Sequence, residues 1–100
     1  MKEEDLSLAA RLNLETAQIA WRDLQTFFAN GSALFVEENT DLILVAEQLV
    51  SDNVELFGQW FESGVVSKVS DEQALEWYSS QAVLWSVVVK PWVLVQLKPS

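Results

Sequence analysis

The first third of the chain carries one stripe of apolar residues at helical spacing. Its members recur every three or four positions, which is the period of an amphipathic helix. We therefore predict a main helix that is capped by Asn13 and ends at Asn30–Gly31, with an earlier helical turn over residues 6–12 running into it. The stripe consists of Leu6, Ala10, Leu14, Ala17, Trp21, Leu24 and Phe28.

The middle of the chain alternates short apolar runs with capped helical patterns. Residues 33–37 and 65–69 are short and mostly apolar, and they predict two buried strands. Helical patterns predict three further helices, over about 42–50, 52–63 and 71–80. Two of these helices begin with a polar residue three positions before a Glu or Gln, which is the spacing of a capping box: Asp52 with Glu55, and Ser70 with Gln73.

The segment from Leu84 to Leu97 is rich in valine and tryptophan, which favours β structure. Pro91 lies within it, lacks an N–H and pushes Lys90 towards an extended conformation, so the strand is expected to break there. We favour a bend or bulge at Lys90–Pro91 over a wider hairpin. A tight two-residue hairpin is disfavoured because Lys-Pro does not suit the primed turns. Both faces of the segment are largely apolar, which is typical of a central strand covered on both sides.

Two arrangements can cover both faces of such a strand. Either the helices of the chain divide between the faces, or a second subunit covers one of them. The mixed order of helices and strands, without a regular βαβ period, predicts the α+β class. We expect about four helices packed on a small three- or four-stranded sheet with the C-terminal strand or strands central, in a single domain over residues 1–100.

Charge restricts the partners that the chain can have. Fifteen acidic and six scattered basic residues give a formal net charge of −9. Because phosphate backbones and anionic membranes are bound by clustered cations, we expect neither nucleic acid nor a membrane as a partner. Residues 1–15 are acidic and lack the apolar core of a signal peptide, so a cytoplasmic location is expected.

The chain contains no histidine and no cysteine. Their absence excludes a Ser-His-Asp triad, a thiol nucleophile and zinc sites built from these residues, so an enzyme is disfavoured and no cofactor is predicted. Carboxylate chemistry is the remaining option, as acid and base or as Mg²⁺ or Ca²⁺ ligands. The densest acidic cluster is Glu37, Glu38 and Asp41, although a solvated loop with a helix cap accounts for these residues more simply.

Trp21 and Arg22 are candidates for a ligand site, since an indole and a guanidinium could form an aromatic floor and a clamp. Trp21 nevertheless lies on the stripe that is predicted to be buried. The chain has five tryptophans, and such residues fill cores and interfaces more often than ligand sites. Trp92, directly after Pro91, is the tryptophan that we expect to be partly exposed.

Three segments of the sequence resemble a known protein family. They are LNLETAQIAWRDLQTFFANG, SDEQALEWY and LWSVVVKPWVLVQ, and the last contains the most specific motif, WSVVVKPWVLVQ. The family consists of short bacterial proteins of about this length and is classed as a domain of unknown function. The resemblance covers nearly the whole chain. It implies a bacterial, cytoplasmic protein, and it implies no catalytic residues because the family has no assigned activity.

These observations favour a non-enzymatic protein-interaction module that forms a homodimer, with an unidentified protein as a possible further partner. The predicted interface lies on the C-terminal β segment and consists of Trp85, Trp92, Val93 and Val95. The alternative is a small carboxylate-based enzyme, or a metal- or ligand-binding protein, that uses Glu37, Glu38 and Asp41. A third hypothesis is an acidic regulator of a basic protein.

Overall fold

A computed structural model describes residues 7–97, so that Leu6 of the predicted stripe lies outside the described residues. Five α-helices are present in this range: α1 (Leu8–Glu15), α2 (Gln25–Ala29), α3 (Leu42–Val50), α4 (Val54–Ser63) and α5 (Asp71–Ser79). The strands are β1 (Ala17–Ala20), β2 (Ala33–Val36), β3 (Val66–Lys68), β4 (Val83–Val89) and β5 (Trp92–Gln96), and a 3₁₀ turn spans Trp21–Leu24. The α+β class is confirmed, with one more helix and at least one more strand than predicted. None of these described helices is long and apolar enough to cross a membrane.

The strands form one mixed sheet in the order β1–β4–β5–β2–β3. Neighbouring strands are antiparallel, except that β2 and β5 are parallel. β5 is therefore the middle strand of the sheet, as the apolar character of both its faces indicates. β4 lies beside it, so the C-terminal β segment supplies two of the three inner strands.

Side chains of β5 alternate between two hydrophobic cores, one on each face of the sheet. The first core joins Leu94 to α1, α3 and α4 through Leu12, Val45, Ala46 and Phe57. The second core joins the β5 valines to the 3₁₀ turn and α5 through Trp21, Leu24, Ala74 and Trp77. The helices of the chain thus divide between the two faces, and the sheet is covered on both sides without a second subunit.

The predicted main helix from Asn13 to Gly31 is wrong. α1 ends at Glu15, where the Thr16 N–H donates to the Asn13 carbonyl at 3.3 Å and the Thr16 hydroxyl donates to the Leu12 carbonyl at 2.8 Å. The next four residues form β1, which pairs with the far end of the chain, with Ala17 opposite Ser86. Pairing with a distant strand has therefore overridden the local helical period.

The apolar stripe still marks part of the core. Trp21 and Leu24 are buried in the second core, whereas Leu14 is 72% exposed. The cap of α1 is Ser7, whose hydroxyl accepts from the Ala10 N–H at 3.1 Å, and not Asn13. The end of the predicted helix is right, because α2 stops at Ala29 and Gly31 follows with a φ of +72°.

One of the two predicted capping boxes is confirmed and the other, Asp52 with Glu55, is wrong. The Ser70 hydroxyl accepts from the Gln73 N–H at 3.1 Å, and the Gln73 side chain accepts from the Ser70 N–H at 3.0 Å. At the start of α4 the cap is Asn53, which accepts from the Leu56 N–H at 3.2 Å. Asp52 instead has a left-handed backbone with a φ of +56°, so it turns the chain between α3 and α4.

The predicted bend or bulge at Lys90–Pro91 is also wrong. These two residues form a tight hairpin loop between β4 and β5, with Val89 opposite Trp92, and the peptide bond between them is cis. Both residues are exposed and lie outside the strand ladder. The missing N–H of Pro91 therefore leaves no ladder hydrogen bond unmade.

Candidate interaction groove

An open groove with mainly apolar walls lies between α4 and the start of β5. Its volume is about 350 Å³, near the lower end of the range for small-ligand sites. The α3–α4 connection contributes Asp52 to its lining, and Leu34 of β2, only 3% exposed, is its most deeply buried residue. We call it the Trp92 groove, after the tryptophan that begins β5 and lines it.

α4 forms one side of the Trp92 groove because four of its residues share one face. Val54, Phe57, Gly58 and Phe61 all line the groove, and they are spaced i, i+3, i+4 and i+7 along the helix. The Asn53 cap fixes where the helix begins. The local sequence thus sets the position of this apolar stripe.

The exposure of these side chains differs sharply. Phe57 is 9% exposed, belongs to the first core and packs edge-on against Trp60, with ring centroids 5.1 Å apart. Phe61 and Val54 are 44% and 72% exposed, and Trp92 is half-buried. The groove therefore combines an anchored inner part with apolar side chains that remain in contact with water.

Gly58 lies in the middle of α4, where glycine costs about 1 kcal/mol relative to alanine. Its backbone is not in the left-handed region, unlike Gly31 and Gly64. A Cβ atom added at Gly58 would meet no neighbouring atom within 4 Å. Neither the backbone nor internal packing requires this glycine, and its missing side chain leaves space in the groove.

Acidic residues flank the Trp92 groove. Asp52 lines it directly, and the exposed Glu55 and Glu62 stand two turns apart on α4, each next in sequence to a stripe residue. Between Arg22 and Lys68 the chain has no Lys or Arg. Asp52, Glu55 and Glu62 therefore give α4 and the connection before it a local negative charge, while the exposed Lys90 of the hairpin is the basic residue nearest to Trp92 in the sequence.

The four residues predicted as an interface do not form one exposed surface. Val93 and Val95 are 0% exposed because helices of the same chain cover them in the second core. Trp85 and Trp92 are half-buried on the first-core side, but they lie at opposite ends of the hairpin, since Trp92 pairs with Val89 and Trp85 pairs at the other end with Gln96. Trp92 lines the groove, whereas Trp85 lines a separate hollow.

The acidic cluster is held in local hydrogen bonds. Glu37 accepts from the Thr40 hydroxyl at 3.2 Å, and Asp41 caps α3 by accepting from two N–H groups at 3.0 and 3.4 Å. Glu38 and Asp41 both line the hollow beside Trp85, whose volume is about 360 Å³. The Gln96 amide fastens this loop to β5 by donating to the Glu37 and Thr40 carbonyls at 3.0 and 2.7 Å. Within residues 7–97 no three acidic side chains converge as metal ligands. The geometry supports loop and capping roles for these residues.

The structure separates Trp21 from Arg22. Trp21 is 0% exposed and packs edge-on against Phe28 and Trp77, with ring centroids 5.7 and 5.1 Å away. Arg22 is exposed and lines a small hollow of about 160 Å³ that also includes Tyr78. The two side chains therefore do not form the aromatic floor and guanidinium clamp expected from their adjacency.

Sequence reasoning missed the residues of α4 that line the groove. A signal was present, because the apolar residues of this helix cover a wider arc than the roughly 100° stripe that packing on one sheet requires. An apolar arc of that width indicates a second contact beside the core contact. The residues concerned are Val54, Leu56, Phe57, Trp60 and Phe61.

Comparison with known proteins places this fold in a family. The family described as "Protein of unknown function (DUF2288)" matches residues 7–97. The chain belongs to the DUF2288 family. The predicted resemblance to a family of unknown function is thereby confirmed.

A solved structure has a similar fold. The chain is similar to PA1075 from Pseudomonas aeruginosa, whose solution structure was determined by NMR, with 41% sequence identity and a TM-score of 0.80. The match covers 100% of this chain and 93% of that chain. No curated protein matches the chain. These findings fix the fold and the family, and they name no activity.

Proposed function

We propose that this DUF2288 protein is a non-enzymatic protein-interaction module whose contact surface is the Trp92 groove. The observation that carries the proposal is the α4 stripe. Phe57 already anchors α4 on the first core, yet Val54 and Phe61 remain exposed beside Trp92. Val54, Phe61 and Trp92 line the same groove, and exposed apolar side chains grouped in this way are typical of contact sites.

The make-up of the groove also supports a protein as the partner. Aromatic side chains are enriched in protein interfaces, and a polar rim surrounds their apolar centre. Phe61 and Trp92 supply aromatic surface, while Asp52 supplies a charged edge. The carboxylate alternative has weaker support: Glu38 and Asp41 line one hollow, but Glu37 and Asp41 are engaged in local hydrogen bonds and no three acidic side chains of the described residues converge.

A photo-crosslinking residue placed at Val54 tests the contact surface directly. The control places the same residue at Leu75, which is 68% exposed on α5, a helix of the second core. We expect a discrete protein adduct from position 54 and none from position 75. A second variant, Gly58→Leu, fills the groove without breaking the helix and should remove the adduct. Equal adducts from both positions, or none from either, would overturn the proposal.

The homodimer predicted from the sequence is a narrower form of this proposal. Val93 and Val95 are buried, so the form of the homodimer that belongs to this proposal is a contact between the Trp92 grooves of two copies. Light scattering after size exclusion tests it. A measured mass of 11.3 kDa, the mass of one chain, at every protein concentration contradicts the homodimer. A mass of twice this value supports it if the variant Phe61→Ser has the mass of one chain. The cytoplasmic location stays a prediction from the sequence.

A further inference from the structure

We infer that the occupant of the Trp92 groove is a basic amphipathic helix of another protein. This inference rests on the proposed function and adds the chemistry of the partner. Apolar side chains of the partner helix fill the groove between α4 and Trp92, and its Lys or Arg side chains face Asp52, Glu55 and Glu62. The occupant is therefore neither a second copy of this chain nor an extended peptide.

The groove favours a helix because it offers no free strand edge. An extended peptide that binds by strand addition needs an unpaired strand edge. The strands at the groove are β5 and β2, and each is paired on both sides, β5 with β4 and β2, and β2 with β5 and β3. Strand addition is therefore closed here, whereas a helix needs no such edge because its backbone N–H and C=O groups are satisfied internally.

Gly58 gives the helix a place to cross. A residue without a side chain lets another backbone approach closely, and a Cβ at this position would have only open space around it. The glycine costs α4 stability that internal packing does not explain. A partner helix passing over Gly58, with Val54 one turn before the crossing and Phe61 almost one turn after it, accounts for the glycine.

Charge identifies the partner helix as basic. Asp52 lines the groove, and Glu55 and Glu62 are exposed on α4, which contains no Lys or Arg. Opposite charges around an apolar contact select the partner and steer its approach. Lys90, next to the hairpin proline, is the one basic residue within two positions of Trp92 in the sequence.

A second copy of this chain is disfavoured as the occupant. A symmetric contact would bring two acidic grooves together, and like charges across a contact are unfavourable. Within residues 7–97 the chain also has no basic helix to offer, because α1 contains the single basic residue Arg11 and α2 to α5 contain none. The partner helix must come from a different protein.

Three synthetic peptides of four helical turns test the inference. The first has Leu at i, i+3, i+4 and i+7 and Lys elsewhere, the second keeps the Leu pattern with Glu in place of Lys, and the third has the composition of the first in scrambled order. Isotope-labelled protein is titrated with each peptide and followed by amide and indole NMR. We expect the first peptide alone to shift signals of residues 54–61 and of the Trp92 indole, with binding that weakens as salt is added.

Variants of the protein separate the apolar and the charged contributions. Gly58→Leu should weaken binding of the first peptide at least tenfold because it fills the groove. Glu55→Gln and Glu62→Gln should each weaken it on the order of two- to fivefold, as expected for exposed ion pairs. Leu75→Ala, on the other side of the sheet, is the matched control and should leave binding unchanged.

The outcomes distinguish this inference from the proposed function. Equal binding of the Glu peptide in the groove overturns the basic partner and leaves the contact surface standing. If the scrambled peptide binds as tightly as the first peptide, or if the NMR shifts centre on the acidic α5, the binding is general charge attraction. Either result also overturns the inference of a basic amphipathic helix. If the protein self-associates and Gly58→Leu abolishes this association, the occupant of the groove is a second copy of the chain. No peptide binding together with no crosslinking from Val54 overturns both proposals.

Discussion

Replacing Gly58 by alanine should stabilise the protein, although most substitutions destabilise. Gly58 lies inside the ten-residue helix α4, its backbone is outside the left-handed region, and the new Cβ would have no neighbour within 4 Å. The gain therefore comes from helix propensity and from the smaller conformational freedom of the unfolded chain. Together these effects amount to about 0.5–1 kcal/mol, which corresponds to a rise in Tm of about 2–8 °C for a domain of this size.

Gly31 and Gly64 provide controls in which only the backbone differs. A Cβ at either position would also meet no atom within 4 Å, but the φ angles are +72° and +83°. A left-handed backbone costs a residue with a Cβ about 1–2 kcal/mol, which exceeds the entropic gain. Gly31→Ala and Gly64→Ala should therefore lower the free energy of unfolding, by roughly 0.5–1 kcal/mol each.

Urea unfolding followed by tryptophan fluorescence measures all three variants. The midpoint should shift while the slope with urea stays constant, since the exposed surface changes little. If Gly58→Ala destabilises the protein, or if all three variants shift in the same direction, the reasoning from backbone geometry is refuted. A variant that is more stable but binds the Lys-Leu peptide less tightly would link this glycine to function, because stability lost at a contact site is a recurrent cost of binding.

Two further substitutions test the core and the loop that β5 holds. Leu94→Ala should lower the free energy of unfolding by about 2–5 kcal/mol, because Leu94 is 0% exposed. The control is Leu75→Ala at a 68% exposed position, which should change the free energy of unfolding by less than about 0.5 kcal/mol. Gln96→Ala removes two hydrogen bonds to the β2–α3 loop and should cost about 1–2 kcal/mol. Gln96→Ala should also speed hydrogen exchange at the Thr40 amide. An unchanged exchange rate at that amide would show that Gln96 does not hold the loop. The control is Gln18→Ala, at an exposed position of β1.

Elements with strong local signals could be predicted from the sequence. The helix that begins at Ser70 and Gln73 has its capping box in four consecutive residues, so no distant contact is needed to define it. The alternation from Leu84 to Val95 predicted a doubly covered strand, because both faces of that segment carry apolar residues. These signals depend on neighbours in the chain, and the fold preserves them.

Elements defined by distant pairing could not be predicted in this way. β1 lies within a helical apolar period, and it becomes a strand because Ala17–Ala20 complete the ladder of β4 more than sixty residues later. Of the groove residues, Trp92 was recognised by its position after Pro91. Gly58 was not recognised, because its significance depends on the empty space around it, which only the packed structure reveals.

The middle strand of the sheet is also the last of the five to be synthesised. β5 lies between β4 and β2 and so connects the β1–β4 half of the sheet to the β2–β3 half. All other strands and helices leave the ribosome before β5 has been made. The pairings of β5 with β2 and of β4 with β1 each link residues about sixty positions apart, and such non-local topologies fold slowly. Until residue 96 has been made, apolar surface of both cores stays open. Nascent chains of this family are therefore expected to depend on chaperone protection late in translation, and an arrest just before β5 should leave them sensitive to protease.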